Sequence, residues 1–303
     1  MLQAGIPSNK DLQGAIVKTI AFFDLFDYPL TDREAWQWLL MHKCGFSEVH
    51  KILNSGQLDN VENRNGFYFL RGREEILEKR FAKYNYTERK FRRAVRIARL
   101  FRLIPWIKMI AVGNNIGAHN LSNDGDIDFF IVTDDDRIWI SRFFSVLIVK
   151  ILGLRPRGAD MKDKICLSFF VSENSSDLEK LMIDEDIYFV YWLAGLTPIF
   201  KKDDFDFSDK NKWIGKYLPN LEPEKIVLKR KIEGNGRIIF KYFVGLEFLM
   251  KKAQLKVLPE KIKESMDSDP NIIVNDRILK FHLNDRRRWF RDEWKKKIYG
   301  LHG

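Results

Sequence analysis

The sequence is poor in cysteine and has no long apolar run, and each shortage excludes a class of protein. Its two cysteines, Cys44 and Cys166, lie too far apart for a metal-ligand spacing or a disulfide framework. The longest uncharged apolar run, residues 187–200, is shorter than the ~20 residues that cross a bilayer core. The N-terminal residues show neither the basic start nor the apolar core of a secretion signal. We therefore expect a cytoplasmic protein with reduced thiols and no membrane partner.

The composition is that of a folded globular chain. Apolar residues make up 45%, charged residues 31% and aromatic residues 14% of the 303 residues, enough for a hydrophobic core and for two domains. The net charge of +10 is local, because residues 80–108 carry ten Lys or Arg against one acid and residues 276–303 carry nine against four. Such stretches indicate a polyanionic partner, either nucleic acid or nucleotide phosphate, or else the solvated face of a helix.

The first 78 residues are predicted to form a winged-helix-like domain. Its predicted elements are helices over residues 11–26, from Thr31 onward and over 47–53, and a hairpin over 58–70. Thr31 has the spacing of a capping box, and Asn65-Gly66 is a strong hairpin-turn signal. In the third helix only Lys51 is reliably cationic, which is poor for reading DNA. A structural or protein-contact role for this domain is at least as well supported as DNA binding.

Residues 79–105 are predicted to form a basic connector helix. Five arginines recur at three- and four-residue steps and therefore share one face of it: Arg89, Arg92, Arg93, Arg96 and Arg99. The basic part, residues 80–102, either follows a polyanion such as nucleic acid or is simply solvated. Phe91 lies on the other side of the helix, so no aromatic residue interleaves with the arginines to stack on bases, which slightly favours the solvated connector.

Two aspartates after a glycine turn form the candidate site. A buried strand over 107–112 leads into Gly113-Asn114, followed by a short helical turn over 115–120, a polar loop and a second strand over 126–133. Alternation along that strand places Asp126 and Asp128 on one face, and Ile127 on the opposite one. Two like charges on one strand face repel each other, so a hard divalent cation with oxygen ligands is the natural candidate between them.

This order of strand, Gly113-Asn114, spacer and Asp126-Ile127-Asp128 resembles the signature of the nucleotidyltransferase superfamily that includes DNA polymerase beta. It is most similar to the minimal, kanamycin-type nucleotidyltransferases, over about residues 107–172. The resemblance implies an α+β fold in which a mixed sheet with flanking helices forms a core over 106–176. It also implies that Gly113 and Asn114 hold the triphosphate of a nucleoside triphosphate. Asp126 and Asp128 would then bind Mg²⁺ and carry the catalysis.

The sequence departs from that pattern at two positions. Asn114 stands where the family has Ser, although an Asn amide can still donate to a phosphate oxygen. Ser168 stands where the third carboxylate is expected, on the strand over 164–171, and it cannot act as a useful base near neutral pH. An alternative without metal, in which both aspartates are ordinary acids at a loop edge, stays open. A calcium loop is excluded, because Ile131 occupies the position that needs a bidentate Glu.

Residues 177–303 are predicted to form a mostly helical C-terminal domain. Residues 184–196 read as core, residues 234–258 as an amphipathic helix, and the tail over 286–297 mixes basic and aromatic residues. That tail suits either single-stranded nucleic acid or a helix packing its aromatic residues inward. His119, in the loop beside the two aspartates, is expected to be exposed.

Three functions from different classes follow from these observations. The first is Mg²⁺-dependent transfer of a nucleoside monophosphate to a hydroxyl of an unknown acceptor. The second is a catalytically degraded nucleotide-binding regulator. The third is a nucleic-acid-binding protein with a vestigial acidic strand. The aspartate pair favours the first function, Ser168 the second, and the basic stretches the third.

Overall fold

The computed structural model describes residues 9–302 except residues 118, 159, 223–229, 233–244, 267, 268, 270 and 284. Its helices are α1 (Asn9–Asp24), α2 (Asp32–Gln37), α3 (Phe46–Asn54), α4 (Ile76–Phe101), α5 (Ile138–Ile151), α6 (Ile187–Ala194), α7 (Phe207–Lys210), α8 (Ile214–Tyr217), α9 (Leu246–Lys256), α10 (Glu260–Ser265) and α11 (Arg287–His302). Its strands are β1 (Leu30–Thr31), β2 (Val61–Arg64), β3 (Phe67–Leu70), β4 (Ile107–Val112), β5 (Ile127–Thr133), β6 (Ile165–Ser172), β7 (Thr197–Lys201), β8 (Ile272–Val274) and β9 (Ile278–Phe281). Single 3-10 turns lie at Glu173–Ser175 and Glu179–Leu181.

The N-terminal segment combines three helices with a small antiparallel sheet of order β1-β3-β2. The capping box that opens α2 is confirmed, because the Thr31 hydroxyl accepts from the Glu34 amide and the Glu34 carboxylate accepts from the Thr31 amide. Asn65 and Gly66 join β2 to β3 with positive φ angles of 54° and 78°, as the predicted turn requires. These local signals fix three of the element boundaries in this segment.

A six-stranded mixed sheet of order β7-β4-β5-β6-β9-β8 forms the centre of the molecule. Among the described strands of this sheet, β5 and β6 run parallel, joined by α5, and the other neighbouring pairs are antiparallel. The chain is therefore α+β with a mixed sheet and flanking helices, as predicted. Residues 107–172 contribute three adjacent strands to it, also as predicted.

The sheet does not end at residue 176, where the sequence placed the edge of the core. Three further strands, β7, β8 and β9, come from the region predicted to be mostly helical. The apolar run at 187–200 divides into helix α6 and strand β7, with a turn at Gly195 and Leu196 between them. Pro198 is compatible with β7 because that strand lies at the sheet edge, where a missing amide proton breaks no ladder.

Each face of the sheet is covered by a separate hydrophobic core. On one face, Ile127, Phe129 and Ile131 of β5 pack with residues of α4 and α5. On the other face, Phe130 and Val132 pack with α6 and with the helices of the N-terminal segment. The N-terminal segment therefore shares a continuous core with the sheet.

The loop between β4 and β5 differs from its prediction. None of the described residues in 115–120 is helical. Gly117 has a positive φ of 83°, and a Cβ atom there would lie 2.5 Å from Cζ of Tyr28. Asn115 Oδ1 accepts from the Asn120 amide at 3.0 Å. Contact with Tyr28 and this side-chain bond therefore fix an irregular loop instead of a helical turn.

In the C-terminal region, the predicted helix over 234–258 is described only from Leu246, where α9 begins, and residues 234–244 lie outside the described residues. The basic and aromatic tail is helical, forming most of α11. Among the described helices, none is long and apolar enough to cross a bilayer.

Candidate functional site

Asp126 and Asp128 lie at the start of β5, on the sheet face that is opposite to Ile127 and Phe129. Both neighbours are buried in the core beneath α4 and α5, whereas the two aspartates are half-buried. This is the placement that the alternation predicted. The two carboxyl groups lie side by side on one face of this strand. Helix α5 then returns the chain to β6, which lies parallel to β5 and next to it.

Cys166 is the third member of the cluster. It pairs with Asp128 across the parallel strands, and one potential ligand atom from each of Asp126, Asp128 and Cys166 lies within 4.8 Å of the others. The sequence placed Ser168 on this face as the residue matching the third acid. The register shifts between Asp128 and Phe130, which pair with Cys166 and Phe169, so β6 contains one extra residue there. The residue opposite Asp128 is the thiol of Cys166, two positions before Ser168.

Asn114 orients the carboxylate of Asp128. Its amide Nδ2 donates to Asp128 Oδ2, while its Oδ1 accepts from Trp192 Nε1 at 2.9 Å. Its φ of 55° lies in the left-handed region, which Asn tolerates better than most residues. Both the backbone and the side chain thus account for Asn at a position where the resembled family has Ser.

Gly113 is already bound within the sheet. Its amide donates to the Asp128 carbonyl at 2.9 Å, so this N–H does not point toward a ligand. A Cβ at Gly113 would meet the Trp192 ring at 3.4 Å, an ordinary contact distance. Of the two turn residues predicted to hold phosphate, Asn114 is exposed and keeps a second amide hydrogen that can donate.

The two carboxyl groups are held in an unfavourable electrostatic environment. Burial, with the charge of Asp126 as the next cause, raises the pKa of Asp128 to about 6, and burial also raises the pKa of Asp126. Burial and both aspartates raise the pKa of the Cys166 thiol well above its ordinary value, so its sulfur stays protonated near neutral pH. A bound cation would relieve the repulsion between the two carboxylates.

Lys90 provides a positive charge beneath the site that sequence analysis did not identify. Its side chain is completely buried, donates to the Gly125 carbonyl and lies 3.0 Å from Asp163. Its charge lowers the pKa of Asp126 and Asp128, although less than burial raises it. The basic pattern of the helix was visible, but which of its cations turns inward depends on tertiary packing.

Two other arginines of α4, exposed Arg89 and half-buried Arg93, bind the same loops. Arg89 lies 3.2 Å from the Asp163 carboxylate and donates to Asn123 at 2.9 Å, and Arg93 donates to the Asp163 carbonyl at 2.9 Å. Arg92, Arg96 and Arg99 are exposed. The predicted basic face is therefore divided between residues that position the site and residues that face solvent.

A hydrogen-bonded pair, Ser168 and His282, lies beside the cluster. Ser168 Oγ is 2.9 Å from His282 Nε2 and 3.3 Å from Cys166 Sγ. Burial lowers the pKa of His282 to about 4, helped by Lys280, so the imidazole is neutral at pH 7. No sequence signal connects the two residues, which lie 114 positions apart and meet because β9 pairs with β6.

Aromatic rings form a wall next to the carboxylates. Trp192 stacks on Phe169 and on Phe189, with ring centroids 5.7 and 5.8 Å apart, and meets Phe130 edge to face. Because Trp192 also donates to Asn114, this packing fixes the residue that orients Asp128.

His119 is not exposed as expected. It is half-buried, its ring lies 4.6 Å from that of Tyr84, and Arg230 lies 3.2 Å from its Nδ1. Burial and the nearby arginines lower its pKa to about 4. These contacts show His119 packed beneath the loop.

The basic tail packs through α11 onto α1 and α6. Phe290 stacks on Phe26 and Tyr188, and Trp294 Nε1 donates to the Lys18 carbonyl at 2.9 Å. Buried Arg287 binds Asp186 and Asp285, while Lys295 and Lys297 pair with Glu185 and Asp24, respectively. Phe290 and Trp294 therefore pack inward, as the second of the two alternatives for this tail predicted.

A cavity of about 590 Å³ lies elsewhere, between α2, β7 and the segment around α7 and α8. Asn115 and Gly117 of the site loop line it, but Asp126 and Asp128 do not. The carboxylate cluster and this cavity are therefore separate features.

Comparison of the chain with protein-family models, curated proteins and solved structures gave no match. The motif and the geometry around Asp126 and Asp128 are consequently what any functional proposal depends on.

Proposed function

We propose that this protein is a divalent-cation-dependent nucleotidyltransferase, which moves a nucleoside monophosphate from a nucleoside triphosphate to a hydroxyl group. The observation that carries the proposal is the convergence of Asp126 and Asp128 on one strand face, beside a turn whose Asn114 binds Asp128. Two adjacent carboxylates with raised pKa values are typical of a site built for a cation.

The donor set fits Mg²⁺ through its two carboxylates. Mg²⁺ is commonly held by one or two protein carboxylates, with water and substrate phosphates completing its coordination. The protonated thiol of Cys166 is a poor ligand for so hard a cation, and its S–H donates to Ser168 Oγ. Asp126 and Asp128 would therefore hold the ion, and Cys166 would lie against them.

The chain's own residues then have distinct tasks. Bound Mg²⁺ would neutralise charge on the phosphates and favour in-line displacement at the α-phosphorus. Asn114 fixes the rotamer of Asp128 and can donate its second amide hydrogen to a phosphate oxygen. Lys90 holds the loop at Gly125 from below, which sets the position of Asp126.

A second candidate, a nucleotide-binding regulator without turnover, is favoured by one observation. Where a third carboxylate would stand, the described residues place Cys166 opposite Asp128 and Ser168 beside it. Neither residue is a strong general base near neutral pH, and such help is typically worth roughly 10²–10⁴-fold. The site would then bind nucleotide and convey its presence to the N-terminal segment.

We further propose that the N-terminal segment is a winged helix that contacts protein rather than DNA. Its order of three helices and a hairpin supports the winged-helix proposal. On the exposed side of α3, His50 is paired with Asp32, which leaves Lys51 as the main cation there. Any nucleic-acid contact would use the exposed arginines of α4, and we expect it to be independent of base sequence.

Transfer of label from α-³²P nucleoside triphosphates in Mg²⁺ and cell extract tests the proposal. We expect labelled product with the wild type and none with Asp128→Asn. Asp124→Asn is the matched control, because Asp124 is an exposed aspartate in the same loop whose carboxylate contacts Lys162 and the neighbouring Asn123. Nucleotide binding without transfer would support the regulator, and transfer that survives Asp128→Asn would place the chemistry elsewhere.

A further inference from the structure

Ser168 and His282 have the geometry of an activated hydroxyl. The 2.9 Å separation of Ser168 Oγ and His282 Nε2 is a short, side-chain to side-chain hydrogen bond. A serine is a weak nucleophile by itself and gains strength when a neighbouring base can take its proton. A neutral imidazole provides that acceptor in one of its two tautomers, the one with its proton on Nδ1.

The surroundings keep this imidazole neutral and fixed. The Phe169 ring meets the His282 ring edge to face at 5.9 Å. The charges that act on His282 are Lys280, Asp285 and Arg287, and the two cations oppose its protonation. His282 is consequently available as a proton acceptor, although a weakly basic one.

Ser168 also lies next to the proposed nucleotide site. Its Oγ is 3.3 Å from Cys166 Sγ, which itself lies within 4.8 Å of a carboxylate oxygen of each aspartate. Cys166 and Ser168 are two residues apart on β6, and their side chains contact each other. The side chain of Cys166 therefore lies between the Ser168 hydroxyl and the place where Asp126 and Asp128 would hold a metal-bound triphosphate.

We propose that Ser168 is itself an acceptor, so that the protein attaches a nucleoside monophosphate to its own Ser168. This inference rests on the proposed function, since it needs the triphosphate and divalent cation bound at Asp126 and Asp128. Ser168 Oγ attacks the α-phosphorus and forms a new P–O bond. The bond from the α-phosphorus to the bridging oxygen breaks, pyrophosphate leaves with the electron pair, and the serine proton passes to His282 Nε2.

Because His282 is weakly basic, the reaction should be slow. It should end at one nucleotidyl group per chain, because Ser168 is a single acceptor. Purified protein is incubated with Mg²⁺ and each nucleoside triphosphate in turn, and its intact mass and modified peptide are measured. We expect one nucleoside monophosphate on the peptide containing Ser168, no adduct in Ser168→Ala, and formation roughly 10²-fold slower in His282→Gln. Ser172→Ala is the matched control, because this serine of the same strand has a buried hydroxyl with no hydrogen-bond partner among the described residues, and it should react like the wild type.

A second measurement needs neither nucleotide nor metal. Correlation of the imidazole nitrogens with the ring protons by NMR reports which nitrogen of His282 carries the proton, and His282→Gln assigns its signals. We expect a proton on Nδ1 and an unprotonated Nε2 that accepts from Ser168. A proton on Nε2 would overturn the inference, because His282 would then donate to Ser168.

Calorimetry on the same samples separates the two proposals. Mg²⁺-dependent nucleotide binding by the wild type without a mass increase would overturn self-modification and leave the proposed function standing. An adduct that persists in Ser168→Ala would also overturn it, because another residue would be the acceptor. Absence of Mg²⁺-dependent binding together with absence of an adduct would overturn both.

Discussion

At position 128 a carboxyl group is held where its negative charge is unfavourable. Burial removes water from it, Asp126 repels it, and the distant charge of Lys90 and the bonds from Asn114 and Cys166 compensate only in part. A carboxylate in such a position costs stability in the protein without a bound cation, because unfolding would return it to water. That cost is a property of a binding residue rather than of a structural one.

Replacing Asp128 by Asn should therefore stabilise the protein without bound cation. The pKa of Asp128 in the folded protein, about 6, lies above the ordinary value of 3.8, so between these pH values the folded chain binds more protons than the unfolded chain. Wild-type stability consequently falls as pH rises through about 4 to 6 and stays lower above it. We expect Asp128→Asn to raise the free energy of unfolding at pH 7.5 by on the order of 1 kcal/mol, with the gain vanishing near pH 4.

Urea denaturation at pH 7.5 and at pH 4 measures the difference in free energy of unfolding between Asp128→Asn and the wild type. Asp124→Asn, at an exposed position, should change stability by less than about 0.5 kcal/mol at either pH. A loss of stability in Asp128→Asn at pH 7.5 would show that the carboxylate is a structural partner of Asn114 instead.

At the scale of elements, the register between β5 and β6 decides which side chain completes the site. The sequence identified Ser168 by counting along the strand, but β6 pairs Cys166 with Asp128, and its extra residue follows this pair. The side chain at 166 can therefore reach a cation between the aspartates, whereas the side chain at 168 is bound to His282.

Cys166→Asp should consequently create a three-carboxylate site, and Ser168→Asp should not. A third acid beside Asp126 and Asp128 repels both, so Cys166→Asp should lower the melting temperature in chelator and gain more from Mg²⁺ than the wild type does. Ser168→Asp should instead form a contact with His282 and gain no more from Mg²⁺ than the wild type. Thermal unfolding with and without Mg²⁺ measures both, and a larger gain for Ser168→Asp would contradict the register.

The loop that carries Asn114 is fixed by the approach of Gly117 to Tyr28. Gly117→Ala should be destabilised both by its positive φ and by a Cβ 2.5 Å from the ring. Gly158 is a matched control, since it also has a positive φ, of 53°, but no atom of the described residues beyond its chain neighbours lies within 4 Å of an added Cβ. We expect Gly158→Ala to cost about 1 kcal/mol and Gly117→Ala about 2 kcal/mol more, measured by urea denaturation. Equal costs would contradict the Tyr28 contact.

The elements that could be predicted from the sequence are those specified by local signals. Thr31 and Glu34 form their capping box within one turn, and Asn65-Gly66 forms its turn between adjacent strands. Alternation along β5 likewise predicted the face of Asp126 and Asp128. Cys166 and His282 were missed because their positions depend on strand pairing over long sequence separations, which local patterns do not record.

At the scale of the whole molecule, the N-terminal segment and the sheet share one hydrophobic core. Phe22 of α1 stacks on Tyr191 of α6 with centroids 4.3 Å apart, and the Tyr191 hydroxyl donates to the Trp38 carbonyl at 2.9 Å. From the C-terminal end, Trp294 of α11 binds the Lys18 carbonyl of α1. Removing the segment would therefore expose the aromatic side of the sheet layer that contains the site.

A chain beginning at Glu75 should for this reason fail to fold cooperatively. We expect the full chain to unfold in one transition during calorimetry, and the shortened chain to show no sharp transition and to bind a hydrophobic dye. A shortened chain with its own cooperative transition would show that the segment is an independently folding domain. That result would leave the site intact but remove its physical link to the N-terminal helices.

The proposed function requires that Asp126 and Asp128 together bind a metal–nucleotide complex. Titration calorimetry of the wild type with each nucleoside triphosphate, in Mg²⁺ and in excess chelator, tests it most directly, with the double variant Asp126→Asn/Asp128→Asn and the control Asp124→Asn beside it. We expect Mg²⁺ to tighten binding of at least one nucleotide by about tenfold or more, equivalent to about 1.4 kcal/mol, in the wild type and the control only. Equal affinity in Mg²⁺ and in chelator, or an unchanged Mg²⁺ effect in the double variant, would contradict the claim.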